Sequence, residues 1–171
     1  SYFGIGLILR SLKQLQDIKT EFKNPKDIVQ VIKSLQEEKA NLLKQLERIE
    51  AKMLVGIRNE ILTKAIDVNG FQFIGEQVEV SNADSLRKIC IDLKNEINGN
   101  YLVCLTANIG GKSNVAIGTS ENATIDATKL IKEIVAPLIK GGGGGQKSLA
   151  TAGGQDASQL QEVINKIKSV L

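Results

Sequence analysis

The sequence predicts an α+β protein: a long antiparallel, coiled-coil-like helical hairpin followed by a small α+β globular domain. Three observations predict it. Apolar residues recur at three- and four-residue steps through the first third of the chain. After Asn69-Gly70 the apolar period becomes that of strands alternating with helices. Near the end, five consecutive glycines, Gly141, Gly142, Gly143, Gly144 and Gly145, precede a second small-residue cluster, Leu149–Gly154.

Each element follows from local chemistry. Ile5, Ile8, Leu12, Leu15, Ile18 and Phe22 mark a first helix ending near Phe22. Lys23-Asn24-Pro25-Lys26-Asp27 breaks it, with Asn24 as the expected N-cap and Pro25 as the first residue of the next helix. Ile28, Ile32, Leu35, Leu42, Leu46, Ile49 and Met53 keep a heptad pattern that Lys39 interrupts, and the helix is expected over 25–66. At about 1.5 Å per residue it spans about 60 Å, roughly twice its partner. The unmatched apolar stripe requires another surface to cover it. Phe71–Ile74 and Gln77–Val80 read as a strand bulged at Gly75. Asp84–Ile97 is amphipathic helix, and Tyr101–Ala107 with Asn114–Thr119 is a hairpin around Gly110-Gly111. Ile125–Ile139 is helical, capped by Thr124 or Asp126, and a last helix starts near Ser158. The expected division is 1–66 for the hairpin, a candidate dimerisation segment, and 70–171 for the glycine-rich domain.

Composition narrows the chemistry. The chain contains no histidine, so charge relays, His general bases and His-ligated metal sites are excluded within it. Cys90 and Cys104 form no CxxC pair, stand beside apolar residues, and read as buried structural thiols of a reducing compartment. Aromatics make up 4% with no Trp, which argues against base-stacking platforms. The net charge of +3 is spread unevenly, with basic ends and an acidic middle, which permits a polyanionic partner at the ends. Tyr2–Leu9 is too short to span a bilayer, so no membrane association is expected.

Two segments imitate a nucleotide phosphate loop. Gly110-Gly111-Lys112-Ser113 has Thr106 where the leading glycine belongs, and a strand follows it. In Gly145-Gln146-Lys147-Ser148, Gln146 separates glycine from lysine. The five-glycine run has two readings. One is a flexible linker. The other is bare backbone whose N–H groups cradle an anion, flanked by Lys140 and Lys147.

Gly141–Gly145, then Gln146-Lys147-Ser148 and Leu149-Ala150-Thr151-Ala152-Gly153-Gly154, resembles the C-terminal (C-Ala, DHH-associated) motif of the alanyl-tRNA synthetase family. Asn24-Pro25-Lys26-Asp27, Gln36-Glu37-Glu38 and Leu42–Leu46 resemble the helical segment before it. The resemblance covers essentially the whole chain. It departs from the family at Gln146-Lys147-Ser148, where Arg-Pro-Asp is commoner. Phosphoesterases of the DHH superfamily share the glycine motif but place a histidine after it, where Gln146 stands here.

The resemblance implies a non-catalytic module that binds the outer corner of tRNA within an alanine–tRNA ligase. It implies same-chain aminoacylation and editing domains as partners, and a homodimer through the helices. No cofactor is implied in this segment. ATP, Mg and Zn belong to the parent's other domains, and the location is cytoplasmic. The alternatives are a substrate domain of a DHH phosphoesterase and a structural coiled-coil dimer. The expected contacts are Lys112, Lys140, Gly141 to Gly145, Gln146, Lys147, Gly153 and Gly154, with Lys166 and Lys168 outside them. No catalytic or metal-ligating residue is expected.

Overall fold

A computed structural model describes residues Tyr2–Leu171. Helix α1 (Tyr2–Glu21) and helix α2 (Ile28–Leu62) come first in the chain, and no residue of α1 is buried. The end of α1 is closed by two crossed bonds, from the Asn24 amide to the Lys19 carbonyl and from the Lys23 amide to the Thr20 carbonyl. This is the Schellman arrangement, which needs a left-handed residue after the helix. Lys23 and Asn24 supply it, at φ 59° and 54°. Asn24 therefore ends one helix instead of capping the next. The cap is Asp27, whose carboxylate accepts from the Gln30 amide at 3.0 Å, so Pro25 lies before the helix.

The chain divides into two compact units, one ending at Glu50 and the other Ala51–Leu171. The last turns of α2 belong with the second, where Ile61 is buried.

The second unit is built on a six-stranded sheet in the order β1-β2-β3-β4-β6-β5. The strands are β1 (Ile66–Val68), β2 (Phe71–Gln77), β3 (Tyr101–Ile109), β4 (Lys112–Thr119), β5 (Gly141–Gln146) and β6 (Leu149–Gly154). Only β2 and β3 pair in parallel, joined by α3 (Ala83–Glu96); the other neighbours are antiparallel. Asn69 and Gly70 both take positive φ, the turn whose twist suits a tight hairpin. That turn pairs β1, a three-residue strand hidden in the sequence behind the helix pattern, with β2. The Asn69 amide group also donates to the Leu171 carbonyl at 2.7 Å and pins the last residue.

Strand β2 is not bulged at Gly75, which pairs in register with Cys104. A side chain there would overlap Ile164 and the Phe73 ring, so the glycine makes room for a helix. The strand stops at Gln77, short of the expected Val80.

Both faces of the sheet are covered. Leu86, Ile89, Cys90 and Leu93 of α3 pack with Ile61 against Ile74, Val103, Leu105 and Ala116. The opposite face carries α4, which runs from Ala127–Leu130 through a π-helical stretch, Ile131–Val135, into Ala136–Ile139. Asp126, not Thr124, caps it, accepting from Thr128 and Lys129. Pro137 lacks the N–H for a regular helical bond, and the widened turn directly before it absorbs the mismatch. Helix α5 (Leu160–Lys168) lies on the same face, with Leu160, Val163, Ile164 and Ile167 buried.

Two outcomes follow for the folded chain. Burial pushes the Cys90 thiol up to about 12 and raises Cys104 as well. Neither should react with iodoacetamide before unfolding, as read by mass spectrometry. A side chain at Gly143 would run into the Thr151 carbonyl and Ala152, whereas one at Gly142 meets open space. Gly143→Ala should cost about 2 kcal/mol or more in denaturant titration, and Gly142→Ala about 0.5 kcal/mol or less.

Candidate nucleic-acid interface

The five glycines form most of edge strand β5, held against β6 along its length. They are neither a linker nor a concave loop. Strand β6 pairs with β4 on its far side, so the glycine hairpin extends the central sheet. Its alternate glycines differ sharply. A Cβ at Gly141, Gly143 or Gly145 would collide with the β6 backbone. A Cβ at Gly142 or Gly144 would meet nothing. The first set permits the close approach of two backbones. The second leaves one side of the strand bare.

That bare side faces a groove. One cavity of about 490 Å³ lies between the start of α3 and the hairpin, with Asp84, Arg87, Asn114 and Gly142–Gly144 in its walls. A second, of about 440 Å³, adjoins it and is lined by Asn82, Lys112, Lys140, Gly141 and Gly154. Ala83, Asn114 and Gly153 belong to both walls. The α3 N-terminus opens here, capped by Asn82, whose side chain accepts from the Ser85 amide at 3.0 Å. A helix start favours anions, and Arg87 and Lys112 add full charges on either side. Asp84 is the opposing charge, and Lys88 pairs with it at 3.3 Å.

Lys140 ends α4 in the left-handed conformation, with φ 50°. Its ammonium pairs with Asp156 at 2.9 Å. The Asp156 amide in turn donates to the Ile139 carbonyl at 3.0 Å. Lys140 thus fixes where β5 leaves the helix as well as lining the groove. The Ser158 hydroxyl, then Lys140 and the Ser158 amide, hold the Asp156 carboxyl far below the usual carboxylate range. The same pair raises Lys140.

The other expected contacts scatter. Lys147 sits in the β5–β6 turn, at the far end of the strand from Lys140. Its carbonyl accepts from the Ala127 amide at 2.8 Å, which docks the turn on α4. Gln146 is exposed beside it. Lys166 and Lys168 belong to α5, on the face of the sheet opposite α3, and Lys168 borders a separate cavity with Lys64 and Glu76. Arg87 and Asn114 are groove residues that sequence reasoning passed over. Arg87 looks like one charge on a solvated helix face, and only the position of β5 makes it part of a groove wall.

Comparison with known proteins places this geometry. The DHHA1 domain model matches residues 70–171. The chain belongs to the DHHA1 domain family. Residues of this DHHA1 chain are 35% identical over 153 positions to the alanine–tRNA ligase of Cytophaga hutchinsonii, covering 87% of this chain and 17% of that protein. The alanine–tRNA ligase of Streptococcus suis is 32% identical over 159 positions, with 92% and 18% covered. The chain thus spans less than a fifth of the length of these relatives. Among solved structures, the C-Ala domain of Aquifex aeolicus alanyl-tRNA synthetase matches with a TM-score of 0.57 and 28% identity, over 63% of this chain and 96% of that one. RecJ of Thermus thermophilus shares the fold at a TM-score of 0.51 and 16% identity, over 86% of this chain and 20% of that one.

Asp156 has a depressed carboxyl pKa, so its contribution is complete above the ordinary carboxylate pKa of about 3.9 and is lost as pH falls towards the folded value. Asp156→Asn should remove that part of the acid destabilisation. Thermal unfolding of both proteins between neutral and acidic pH should show the curves converging as pH drops.

Proposed function

We propose that this chain is the nucleic-acid-binding C-terminal module of an alanine–tRNA ligase, and that tRNA lies in the groove between α3 and the glycine hairpin. The observation that carries the reading is the convergence of Arg87, Lys112, the α3 N-terminus and the bare backbone of Gly142–Gly144 on one groove. A phosphodiester backbone is the ligand this chemistry suits. It offers repeated negative charge, accepts bonds from N–H groups, and needs no side chains to read bases. An edge strand without Cβ atoms lets a sugar–phosphate chain approach the main chain closely. The similarity to alanine–tRNA ligases supports tRNA among such ligands.

In this reading the parent protein joins alanine to tRNA with ATP. Its aminoacylation and editing chemistry, with ATP, magnesium and zinc, belongs to its other domains, and it works in the cytoplasm. No helix among the described residues is long and apolar enough to cross a membrane. Lys140 and Lys147 are secondary contacts, the first shared with Asp156 and the second at the hairpin tip. Lys166 and Lys168 touch at most a distant part of a large RNA.

Fluorescence anisotropy with a folded tRNA transcript tests the reading. Affinity should fall steeply between low and physiological salt. Arg87→Glu and Lys112→Glu should each weaken binding by about tenfold, and Lys166→Glu by much less. Equal losses at all three positions, or tighter binding of a short single-stranded oligonucleotide than of tRNA, would reject the groove or the tRNA assignment respectively.

A further inference from the structure

The groove between α3 and the glycine hairpin holds one group that a row of phosphates does not need. Asp84 is the only anion among its described lining residues, in the company of Arg87, Lys112 and Lys140. A carboxylate accepts hydrogen bonds and donates none, and an ionised phosphodiester does the same, so the two repel. Lys88 holds Asp84 Oδ2 at 3.3 Å from the next turn of α3, an exposed ion pair that offsets the charge only in part. Asp84 Oδ1 has no partner among the described residues. Asn114 adds a neutral acceptor: its amide group donates to the Lys112 carbonyl at 3.3 Å, which leaves its Oδ1 beside Gly153 in the same wall.

Such acceptors suit a ligand that donates. The donors of a nucleic acid are base N–H groups and, in RNA alone, the ribose 2′-hydroxyl. No aromatic side chain lines either cavity, so no described residue of the walls can stack a splayed base and hold its edge against Asp84. The bare side of β5 admits the sugar–phosphate chain itself. The ribose hydroxyl both donates and accepts, which matches a carboxylate set among N–H groups. DNA has a hydrogen at that position and would leave the Asp84 charge unanswered among its phosphates.

We infer that Asp84 selects RNA over DNA in this groove, accepting a hydrogen bond from a ribose 2′-hydroxyl and repelling a backbone that lacks one. The inference rests on the tRNA reading of the groove and adds to it a determinant of sugar identity. Asp84 also stands in the first turn of α3, where a carboxylate favours the helix start whatever the ligand. That structural role acts equally on both kinds of backbone, so the ratio of the two affinities separates it from sugar recognition.

The test is anisotropy of the whole chain with two ligands: a folded tRNA transcript, and the same tRNA carrying 2′-deoxynucleotides throughout its outer corner. The unaltered chain should bind the ribose form about tenfold more tightly, as a hydrogen bond to a charged group allows. Asp84→Ala should bring the two forms to within about twofold, the ribose form bound more weakly and the deoxy form at least as tightly as before. Asp84→Asn retains an acceptor and should keep a preference of about threefold. A change in helix stability or in overall charge shifts both ligands by one factor and leaves the ratio unaltered. A ratio that Asp84→Ala does not change overturns the inference, and so does equal binding of the two forms by the unaltered chain. In both cases a tRNA affinity that still falls with Arg87→Glu leaves the groove reading standing. If neither form binds at low salt, the groove reading falls and this inference falls with it.

Discussion

The second unit depends on one constraint: strands β3 and β4 are apolar on both faces. Every residue from Tyr101 to Ala107 is buried. Leu102 and Cys104 point to one side of the sheet, and Val103 and Leu105 to the other. Such a pair cannot lie on the surface of a two-layer fold, so helices must cover both faces. Helix α3 serves one face as the crossover between the parallel strands β2 and β3. Helices α4 and α5 serve the other. What the glycine run presents to solvent follows from where this leaves the sheet's edge.

The two edges are managed differently. Strand β1 is three residues long with Asp67 at its centre, a short charged edge that discourages further pairing. Strand β5 has no side chain over five residues, and its bare side faces the α3 start. Five glycines are costly to order, since each loses more backbone freedom than any other residue would. Order is recovered through pairing with β6 along the whole strand, packing against α4, and the Lys140–Asp156 tie at its entry. The same contacts that order the strand hold it open towards the groove.

The two units divide their roles. In the second, apolar residues are consumed by a closed core and polar backbone is presented at an edge. In the first, the apolar seam stays on the outside of a helix.

The sequence by itself determined the element types. Heptad steps, caps and turn residues act over a few residues, so the two leading helices, α3, the β3–β4 hairpin and the last two helices are legible in it. Local signals failed where a distant neighbour decided the outcome. Gly75 reads as a bulge until Ile164 is seen to need its space. Asn24 reads as a cap until its left-handed φ closes α1. The glycine run has no pattern of its own, and only β6 makes it a strand. For the site, Lys112, Lys140 and the glycines stand out by composition, but their grouping with Arg87 and Asn114, and the separation of Lys166 and Lys168 onto the other face, belong to tertiary structure. Strand order and the face each helix covers are set by contacts between residues far apart in the chain, and no local propensity records them.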